Sequence, residues 1–457
     1  MSLVMKFGGT SVGGPEAMAQ AADLVERALP HAPLVVLSAM SGTTNALFEA
    51  AKRAEAGDAS GSRAIQKELM AKHHACARAL LDGDLSGGLA AQLADQFEEL
   101  RILLTGVYLL RELTPRNMDH IASTGEQLST RIFNALLTAR GLSSTWMDAR
   151  SILRTDRRFG SARPSKQSIA AQAKEKLVPL LGAGRAVVTQ GYIGATEDGL
   201  TTTLGRGGSD LSAALFGAAL GSSEVQIWTD VEGILTCDPR VVPEAETIPE
   251  IGFSEAAELA AFGAKVLHPA TIQPAVEADI PVTVRHTARP DGRFTLIQSS
   301  VKRQRPVTAL ASRGPVTVLT VQSTRMLAQS GFLARLFEVF GRLEISVDLI
   351  ATAEISVSLT IEPGAPIQEL VDEISRFADV KVATDRAIVA LVGASFRATP
   401  GIAGRAFTAL GAINVEMISM GANEINLSLV VKMDRAKDAL RLLHKEFFEG
   451  EHRDTLA

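Results

Sequence analysis

Near the start of the sequence, Lys6-Phe7-Gly8-Gly9-Thr10-Ser11 sets a cation beside paired glycines where a short apolar run gives out. Glycines let backbone N–H groups approach an anion unobstructed, and a lysine supplies a point charge for a phosphate. A second cluster, Thr203-Leu204-Gly205-Arg206-Gly207-Gly208-Ser209-Asp210, runs into a helical pattern beginning near Leu211. Such a loop at a helix start offers donors to phosphate or carboxylate, and Arg206 can grip a carboxylate with two parallel hydrogen bonds. Three further turns carry polar groups. One is Trp228-Thr229-Asp230-Val231-Glu232-Gly233-Ile234, with Asp238-Pro239-Arg240 close behind. Another is Phe262-Gly263-Ala264-Lys265-Val266-Leu267-His268-Pro269, and the last is Ser123-Thr124-Gly125-Glu126, read as a helix start. Taken singly, these three are more readily structural than chemical; a first-turn glutamate answers the helix dipole, and His268 before a proline reads as structural. The patterns GxxxxGK[ST] and GxGxxG are both absent, so neither a P-loop nor a dinucleotide fold is supported.

The elements that must position these groups alternate in type. Val4 to Phe7, Leu34 to Leu37, Ala186 to Thr189, Val225 to Trp228 and Val282 to Val284 read as buried strands. Between them Pro15 to Ala28, Glu126 to Ala139 and Ser254 to Phe262 read as amphipathic helices. Strands alternating with helices predict an α/β domain with a mainly parallel sheet, whose ligands bind at the carboxyl ends of the strands. The stretch from about 50 to 118 is rich in helix formers and reads as a helical elaboration. Within it, Ile102 to Leu110 is too short to span a membrane and reads as a buried helix.

A chain of 457 residues predicts two or three domains. Its net charge of −5 and its lack of a basic patch with interleaved aromatics exclude nucleic acid and anionic membrane as expected partners. The opening MSLVMKFGG is too short and too glycine-rich for a signal peptide. Two cysteines, Cys76 and Cys237, have no metal-ligand spacing and form no disulfide framework, so a reduced, cytoplasmic protein with no resident metal site is expected.

Beyond a polar, broken stretch at about 290–315, the sequence repeats itself. Gly331-Phe-Leu-Ala-Arg-Leu-Phe-Glu-Val-Phe-Gly341 aligns at an offset of 70 with Gly401-Ile-Ala-Gly-Arg-Ala-Phe-Thr-Ala-Leu-Gly411. Glu354-Ile355 then matches Glu424-Ile425, and Ser358-Leu359 matches Ser428-Leu429. Each copy reads as a helix, a strand (Ile345 to Leu349; Val415 to Ile418), a turn and an alternating strand. Two related α+β units packed together are expected.

In this order, the motifs at Lys6, Gly205–Asp210, Trp228–Gly233, Asp238–Arg240 and Phe262–Pro269 resemble aspartate kinase, a member of the amino acid kinase family. The C-terminal repeat resembles its paired ferredoxin-like ACT units. The likeness covers almost the whole chain and includes no homoserine dehydrogenase portion, as in monofunctional forms. It implies a catalytic domain over 1–295, a first ACT unit over 305–385 and a second over 386–457, with a strand from about 306–314 as a candidate to complete the second. The implied reaction moves the γ-phosphoryl group of ATP, with Mg2+, onto the side-chain carboxylate of L-aspartate, the first step of aspartate-derived amino-acid biosynthesis.

What the resemblance implies for single residues is equally definite. Lys6, Gly8 and Gly9 would meet the ATP phosphates, and Lys265, beside Val266, would neutralise the transferring group. Thr229, Asp230, Leu235 and Arg240 would line the nucleotide site, Leu235 standing where some relatives carry tyrosine. Glu126 and Arg206 would hold the ammonium and α-carboxylate of aspartate, with Ser38, Thr44, Gly207, Gly208 and Ser209 nearby. Asp210 would orient Lys6. Met326, Gln329, Phe332, Leu333, Val347, Asp348, Ala353 and Glu354 match the stretch where lysine-inhibited relatives hold their effector, although Gln329 and Ala353 replace common serines. Lysine or threonine is the expected effector, and a homodimer or homotetramer through the ACT units the expected assembly. A carboxylate nucleophile, with a solution pKa of about 3.9, is already ionised at neutral pH and needs no general base. Two alternatives stay open on sequence: a catalytically inactive amino-acid sensor, and a kinase for a different carboxylate.

Overall fold

The computed structural model describes residues 2–81, 88–263, 269–301, 305–327, 330–394, 396, 399–421 and 424–449. They fall into two compact units. The first holds the residues up to Ile234, together with Pro249–Phe253 and the stretch from Pro269 to Ser300. Its strands are β1 (Leu3–Phe7), β2 (Pro33–Leu37), β3 (Ser144–Met147), β4 (Arg154–Thr155), β5 (Ala186–Gln190), β6 (Ile193–Thr196), β7 (Thr201–Thr203), β8 (Glu224–Thr229), β9 (Glu250–Gly252), β10 (Val282–His286) and β11 (Thr295–Gln298). The main sheet has the order β3-β5-β2-β1-β8-β10-β11-β9, and β4, β6 and β7 form a small second sheet. From β3 to β10 every pairing is parallel; β11 alone turns antiparallel to β10, with β9 parallel beside it. β1, β2 and β5 are buried along their whole length, as strands covered by helices on both faces must be.

The helices of the first unit are α1 (Pro15–Ala28), α2 (Thr43–Ala56), α3 (Ala59–Leu80), α4 (Leu89–Leu110), α5 (Pro115–Ala139), α6 (Lys166–Lys176), α7 (Val178–Gly182), α8 (Gly208–Leu220) and α10 (Pro269–Glu277); α9 (Phe253–Ala261) falls, apart from Phe253, in the second unit. Side chains on a strand alternate between faces. Leu3, Met5 and Phe7 join the apolar cluster built from α1 to α5. Val4 looks the other way, toward α8, where a Cβ on Gly217 would lie 2.6 Å from Val225 and 4.0 Å from Val4. Lys6 shares the parity of Val4, and so emerges on the side where α8 begins.

Two expectations need correction here. The helix expected to start at the Ser123–Glu126 turn begins at Pro115, with Thr114 accepting from Asn117 N–H as its N-cap, so Glu126 lies mid-helix. The run Ile102 to Leu110 is helical but not buried: Leu104 and Val107 face the core, whereas Ile102, Leu109 and Leu110 are exposed. One stripe of a helix reaches the core, and this run is longer than one stripe. Among the described residues no helix is long and apolar enough to cross a membrane.

The second unit contains Leu235–Ile248, Ser254 to Gly263 as far as described, and the chain from Val301 onward. The first two segments lie inside the stretch that sequence assigns to the catalytic domain. Leu235–Ile248 joins this unit because Cys237 and Val242 are buried with Val307, Leu310, Leu440 and Phe448, and the Ser254 segment joins it through the bonds of Glu255 to Thr308 and of Glu258 to Asn426. The polar stretch at 290–315 is likewise no plain linker, since it contains β11 and the start of the next strand. The remaining strands are β12 (Ala309–Gln322), β13 (Val347–Thr352), β14 (Ser356–Ile361), β15 (Asp379–Val392), β16 (Met417–Met420) and β17 (Asn426–Lys432). The helices are α11 (Phe332–Arg342), α12 (Ile367–Ile374), α13 (Ile402–Leu410) and α14 (Ala436–His444). They accompany one antiparallel sheet of order β13-β14-β12-β15-β17-β16. β13 and β16 start two residues later than the sequence pattern suggested.

β12 and β15 lie 70 residues apart in sequence, and each serves both repeats. Thr317–Gln322 of β12 pair with β14, whereas Ala309–Arg313 pair with Ile388–Val392, the part of β15 that lies beside β17. Conversely, Asp379–Ala383 pair with the later part of β12. Each half of the sheet therefore takes its fourth strand from the other repeat.

Candidate active site

Lys6 is positioned by the centre of the main sheet. It pairs in register with Val36 on one side and Ile227 on the other, at the carboxyl end of β1. Its Nζ lies 2.7 Å from Asp210 in the first turn of α8. The N-cap of that helix is Gly207, at φ 72°, so Asp210 is not the cap; its carboxylate is committed to Lys6. The pair is nearly buried, with side chains 10% and 16% exposed, which holds the ammonium in one place.

The two glycines after β1 do different things. The N–H of Gly8 already donates to Trp228 O at 3.1 Å, so it is not free for a phosphate; a Cβ there would stand 3.5 Å from Lys6 Nζ. A Cβ on Gly9 would come within 3.1 Å of Ala39 O, and Gly9 O accepts from Ser41 N at 3.1 Å. The turn after β1 is thus laced to the turn after β2. Ser38 N donates to Phe7 O at 3.1 Å, and Ser38 Oγ donates to Ser209 Oγ at 3.0 Å, which ties the second turn to the first turn of α8. Thr44 is half-buried in the first turn of α2, just after these residues.

Glu126 reaches this region from the middle of α5. One carboxylate oxygen accepts from Ala39 N at 3.2 Å, and the other is buried without a partner. Burial pushes its pKa up to about 8, only partly opposed by the Ala39 hydrogen bond. Gly125 admits the helix to this contact, because a Cβ there would stand 2.7 Å from Ala39 Cβ. Ser129, one turn on, donates to Ser38 O at 2.8 Å.

Several residues that the motifs did not mark complete the frame. Asp119, also on α5, accepts from Gly160 N, from Thr203 N at 2.9 Å and from Thr203 Oγ1 at 2.7 Å, anchoring the start of the glycine-rich loop. Burial raises its pKa despite these bonds. Tyr192 adopts φ 68°, rare for a side-chain-bearing residue, and its hydroxyl bonds to Thr203; burial and the nearby Glu126 and Asp119 charges raise its pKa. Gly191 allows the close approach of Ser209, which an added Cβ would meet at 2.7 Å. Only Gly191 carried a usable signal, a glycine directly after a buried strand.

Of the expected substrate group, Ser38, Ser209, Gly208 and Glu126 are brought together with Lys6 and Asp210. Arg206 stands exposed on the loop between Gly205 and Gly207, both at positive φ. Thr229, at the end of β8, donates its hydroxyl to exposed Asp230 at 3.1 Å, while its carbonyl accepts from Thr287 N at 2.9 Å. Leu235 and Arg240 belong to the second unit, where Leu235 bridges to Thr247 and Arg240 is paired with Asp238 at 2.7 Å. Lys265, Val266 and His268 lie outside the described residues.

The residues expected to bind an effector lie on the first repeat of the second unit. Phe332 and Leu333 open α11 after Gly331, at φ 91°, and Met326 packs against the core of that repeat. Val347 and Asp348 begin β13, and Ala353 and Glu354 form the exposed turn after it. Asp348 is already paired with Arg313 at 3.0 Å through one oxygen; the other is buried and unpartnered. Gln329 lies outside the described residues.

The model for the amino acid kinase family matches residues 1–286, and that for an ACT domain matches residues 389–447. The lysine-sensitive aspartokinase 3 of Escherichia coli K12 is 39% identical over 98% of this chain and 99% of its own. A crystal structure of E. coli aspartokinase III in complex with aspartate and ADP superposes with a TM-score of 0.83 at 40% identity, covering 98% of this chain and all of that one. The same enzyme in complex with lysine and aspartate gives a TM-score of 0.82 at 40% identity, covering 98% and 99%. A lysine committed to an aspartate at the sheet's carboxyl edge, a buried glutamate with a free oxygen and a tandem α+β sheet thus accompany full-length similarity, and the chain belongs to the amino acid kinase family, among the aspartokinases.

Proposed function

We propose that this chain transfers the γ-phosphoryl group of ATP to the side-chain carboxylate of L-aspartate through the residues gathered at the carboxyl edge of β1, β2 and β5. The observation that carries the reading is Glu126, a fully buried carboxyl whose second oxygen has no partner. An unpaired acid in such a place is costly, and a substrate ammonium would relieve the cost. Arg206 takes the α-carboxylate, so the side-chain carboxylate is the end left to face the phosphate. Acetylated amino acids lack the ammonium and would leave Glu126 unsatisfied.

Phosphoryl transfer asks for placement and charge compensation more than for covalent chemistry. Lys6, oriented by Asp210, sits on the γ-phosphate, and Gly9 keeps the backbone open beneath it. Thr229, Asp230, Leu235, Arg240 and Val266 contact the nucleotide, and Lys265 neutralises the moving group. Among the described residues no three acidic, imidazole or thiol groups converge, a donor set that suits magnesium carried on the phosphates with water rather than a protein-held ion. When bound, that ion supplies charge to the phosphate oxygens.

Lysine is proposed as the effector, since the E. coli relative is lysine-sensitive and is seen with lysine bound. The unpartnered oxygen of Asp348 supports a cationic ligand at the first repeat. A dimer or tetramer through the ACT units, in the cytoplasm, completes the reading. Hydroxylamine trapping of acyl phosphate tests the reaction, with Mg-ATP and aspartate, glutamate or acetylglutamate in parallel, each with and without lysine or threonine. Product with aspartate alone is expected; product with no acid, or with acetylglutamate, would sink the assignment.

A further inference from the structure

Leu235 and Arg240 sit on a segment, Leu235–Ile248, that folds back on itself: Leu235 bridges to Thr247, Thr236 N donates to Glu246 O at 2.9 Å, Asp238 O accepts from Val241 N and Val242 N at 2.9 Å each, and the Asp238 carboxylate accepts from Arg240 N. Its anchors come from the regulatory sheet and the last helix. Leu310 N, in β12, donates to Thr236 O at 2.7 Å. Arg441 Nε, in α14, donates to Val241 O at 3.1 Å. Thr236 Oγ1 accepts from Glu246 N at 3.0 Å and lies 3.1 Å from Nε2 of His444, which is 1% exposed. The His444 ring stacks on Phe448 at 4.8 Å, and its Nδ1 lies 2.6 Å from Glu449. The donor pattern closes on itself. Glu246 N–H points at the Thr236 oxygen; with the imidazole N–H placed at Nδ1 toward Glu449, Nε2 is the acceptor for the Thr236 hydroxyl proton.

We propose that Thr236 and His444 are positioning residues for the nucleotide: they fix the loop bearing Leu235 and Arg240 to the end of α14. The proposal rests on the assignment of Arg240 to the nucleotide. A second segment is held in the same manner. In α9, which precedes the Phe262–Pro269 motif, Glu255 accepts from Thr308 Oγ1 at 2.6 Å and Glu258 accepts from Asn426 Nδ2. The Leu235–Ile248 segment and α9 are thus both bonded to residues of the C-terminal half.

The test is steady-state kinetics on the full chain, with ATP and aspartate varied separately, for Thr236→Val, Thr236→Ser, Arg441→Ala and Arg240→Ala. Thr236→Val is expected to raise KM for ATP about fivefold, the worth of one net hydrogen bond, with kcat and KM for aspartate little changed. Thr236→Ser, which keeps the oxygen, restores the wild-type value. Arg441→Ala, an exposed change that leaves the core intact, moves KM for ATP in the same direction by less. Arg240→Ala separates the two failures. If it raises KM for ATP and Thr236→Val does not, the positioning role is overturned and the nucleotide assignment stands. If Arg240→Ala leaves KM for ATP unchanged, the assignment falls and the proposal with it. A Thr236→Val enzyme that loses kcat and both KM values together, unrescued by serine, shows a purely structural threonine and also overturns the proposal.

Discussion

Lys6 and Asp210 are useful because they are almost out of water and answer each other. Replacing Lys6 by Ala should lower kcat about a hundredfold to a thousandfold, the scale of losing one aimed donor at a phosphoryl group. It should also destabilise the fold, since Asp210 is left without its cation. The double variant Lys6→Met/Asp210→Leu should regain melting temperature but not activity. Thermal unfolding beside acyl-phosphate trapping distinguishes the two losses, and a double variant no more stable than Lys6→Ala would refute the pairing argument. Glu126 gives a prediction of opposite sign. Its folded pKa, about 8, lies above its ordinary value of 4.5, so between those values the folded state holds a proton that the unfolded chain releases. Stability is therefore greatest below pH 4.5 on this account, falls as pH rises through the window and levels off above about 8. Glu126→Gln, which cannot titrate, should melt higher than wild type at pH 8.5 and lose that advantage toward pH 5. Its kcat/KM for aspartate should drop about tenfold to a hundredfold. Equal melting curves at both pH values would show that Glu126 does not carry the buried proton.

Among the elements, the turns after β1, β2 and β5 and the start of α8 work as one piece. Gly191→Ala is expected to push Ser209 away, because the new Cβ would meet it at 2.7 Å, and so to break the Ser38–Ser209 bond. Overpacking of this kind costs about 1–3 kcal/mol, and aspartate turnover should fall more than the melting temperature suggests. Wild-type turnover in that variant would show that Ser209 is not needed where it stands. The same scale decides what could be read in advance. Strands and the glycine-rich loop were legible because buried strands leave apolar runs and tight turns leave glycines. The start of α5 differs from the helix start read at Ser123–Glu126 although Thr114-Pro115 is a sound cap signal; Gly125 marks the place where the helix passes close to Ala39. Tyr192 left no trace at all, since nothing in its neighbours announces a positive φ. The engagement of Gly8 by Trp228 was equally hidden, for it depends on a strand more than two hundred residues away.

For the whole molecule, sequence order and spatial order disagree in two places. The stretch from Leu235 to Gly263 reads as kinase by its motifs yet packs in large part with the C-terminal half, through contacts too distant in sequence for periodicity to register. The tandem repeat was visible from its offset of 70, but the exchange of strand segments between its halves was only hinted at by the 306–314 stretch. That exchange predicts how fragments behave. A fragment of residues 305–449 should give a cooperative unfolding transition, whereas one of residues 386–449 lacks the strand that pairs with Ile388–Val392 and should be molten or aggregated by circular dichroism and gel filtration. A folded, monomeric shorter fragment would refute the interdependence. Gly393→Ala should weaken the same seam in the intact chain, since its Cβ would fall 2.9 Å from Val307 Cα and closer still to Pro306 O.

The pairing of β1 also bears on how the protein is made. The strand carrying Lys6 leaves the ribosome ahead of its neighbours in the sheet, and β2 follows soon after, but β8, its other neighbour, is encoded beyond residue 220. At about 5–20 residues per second, synthesis leaves the edge of β1 unpaired for roughly 10–45 s. During that time Leu3, Met5 and Phe7 can already collapse onto α1 to α5, while the side bearing Lys6 has neither its strand nor the aspartate that steadies it. A nascent chain paused before residue 200 would therefore hold much of the helical layer and none of the Lys6–Asp210 geometry.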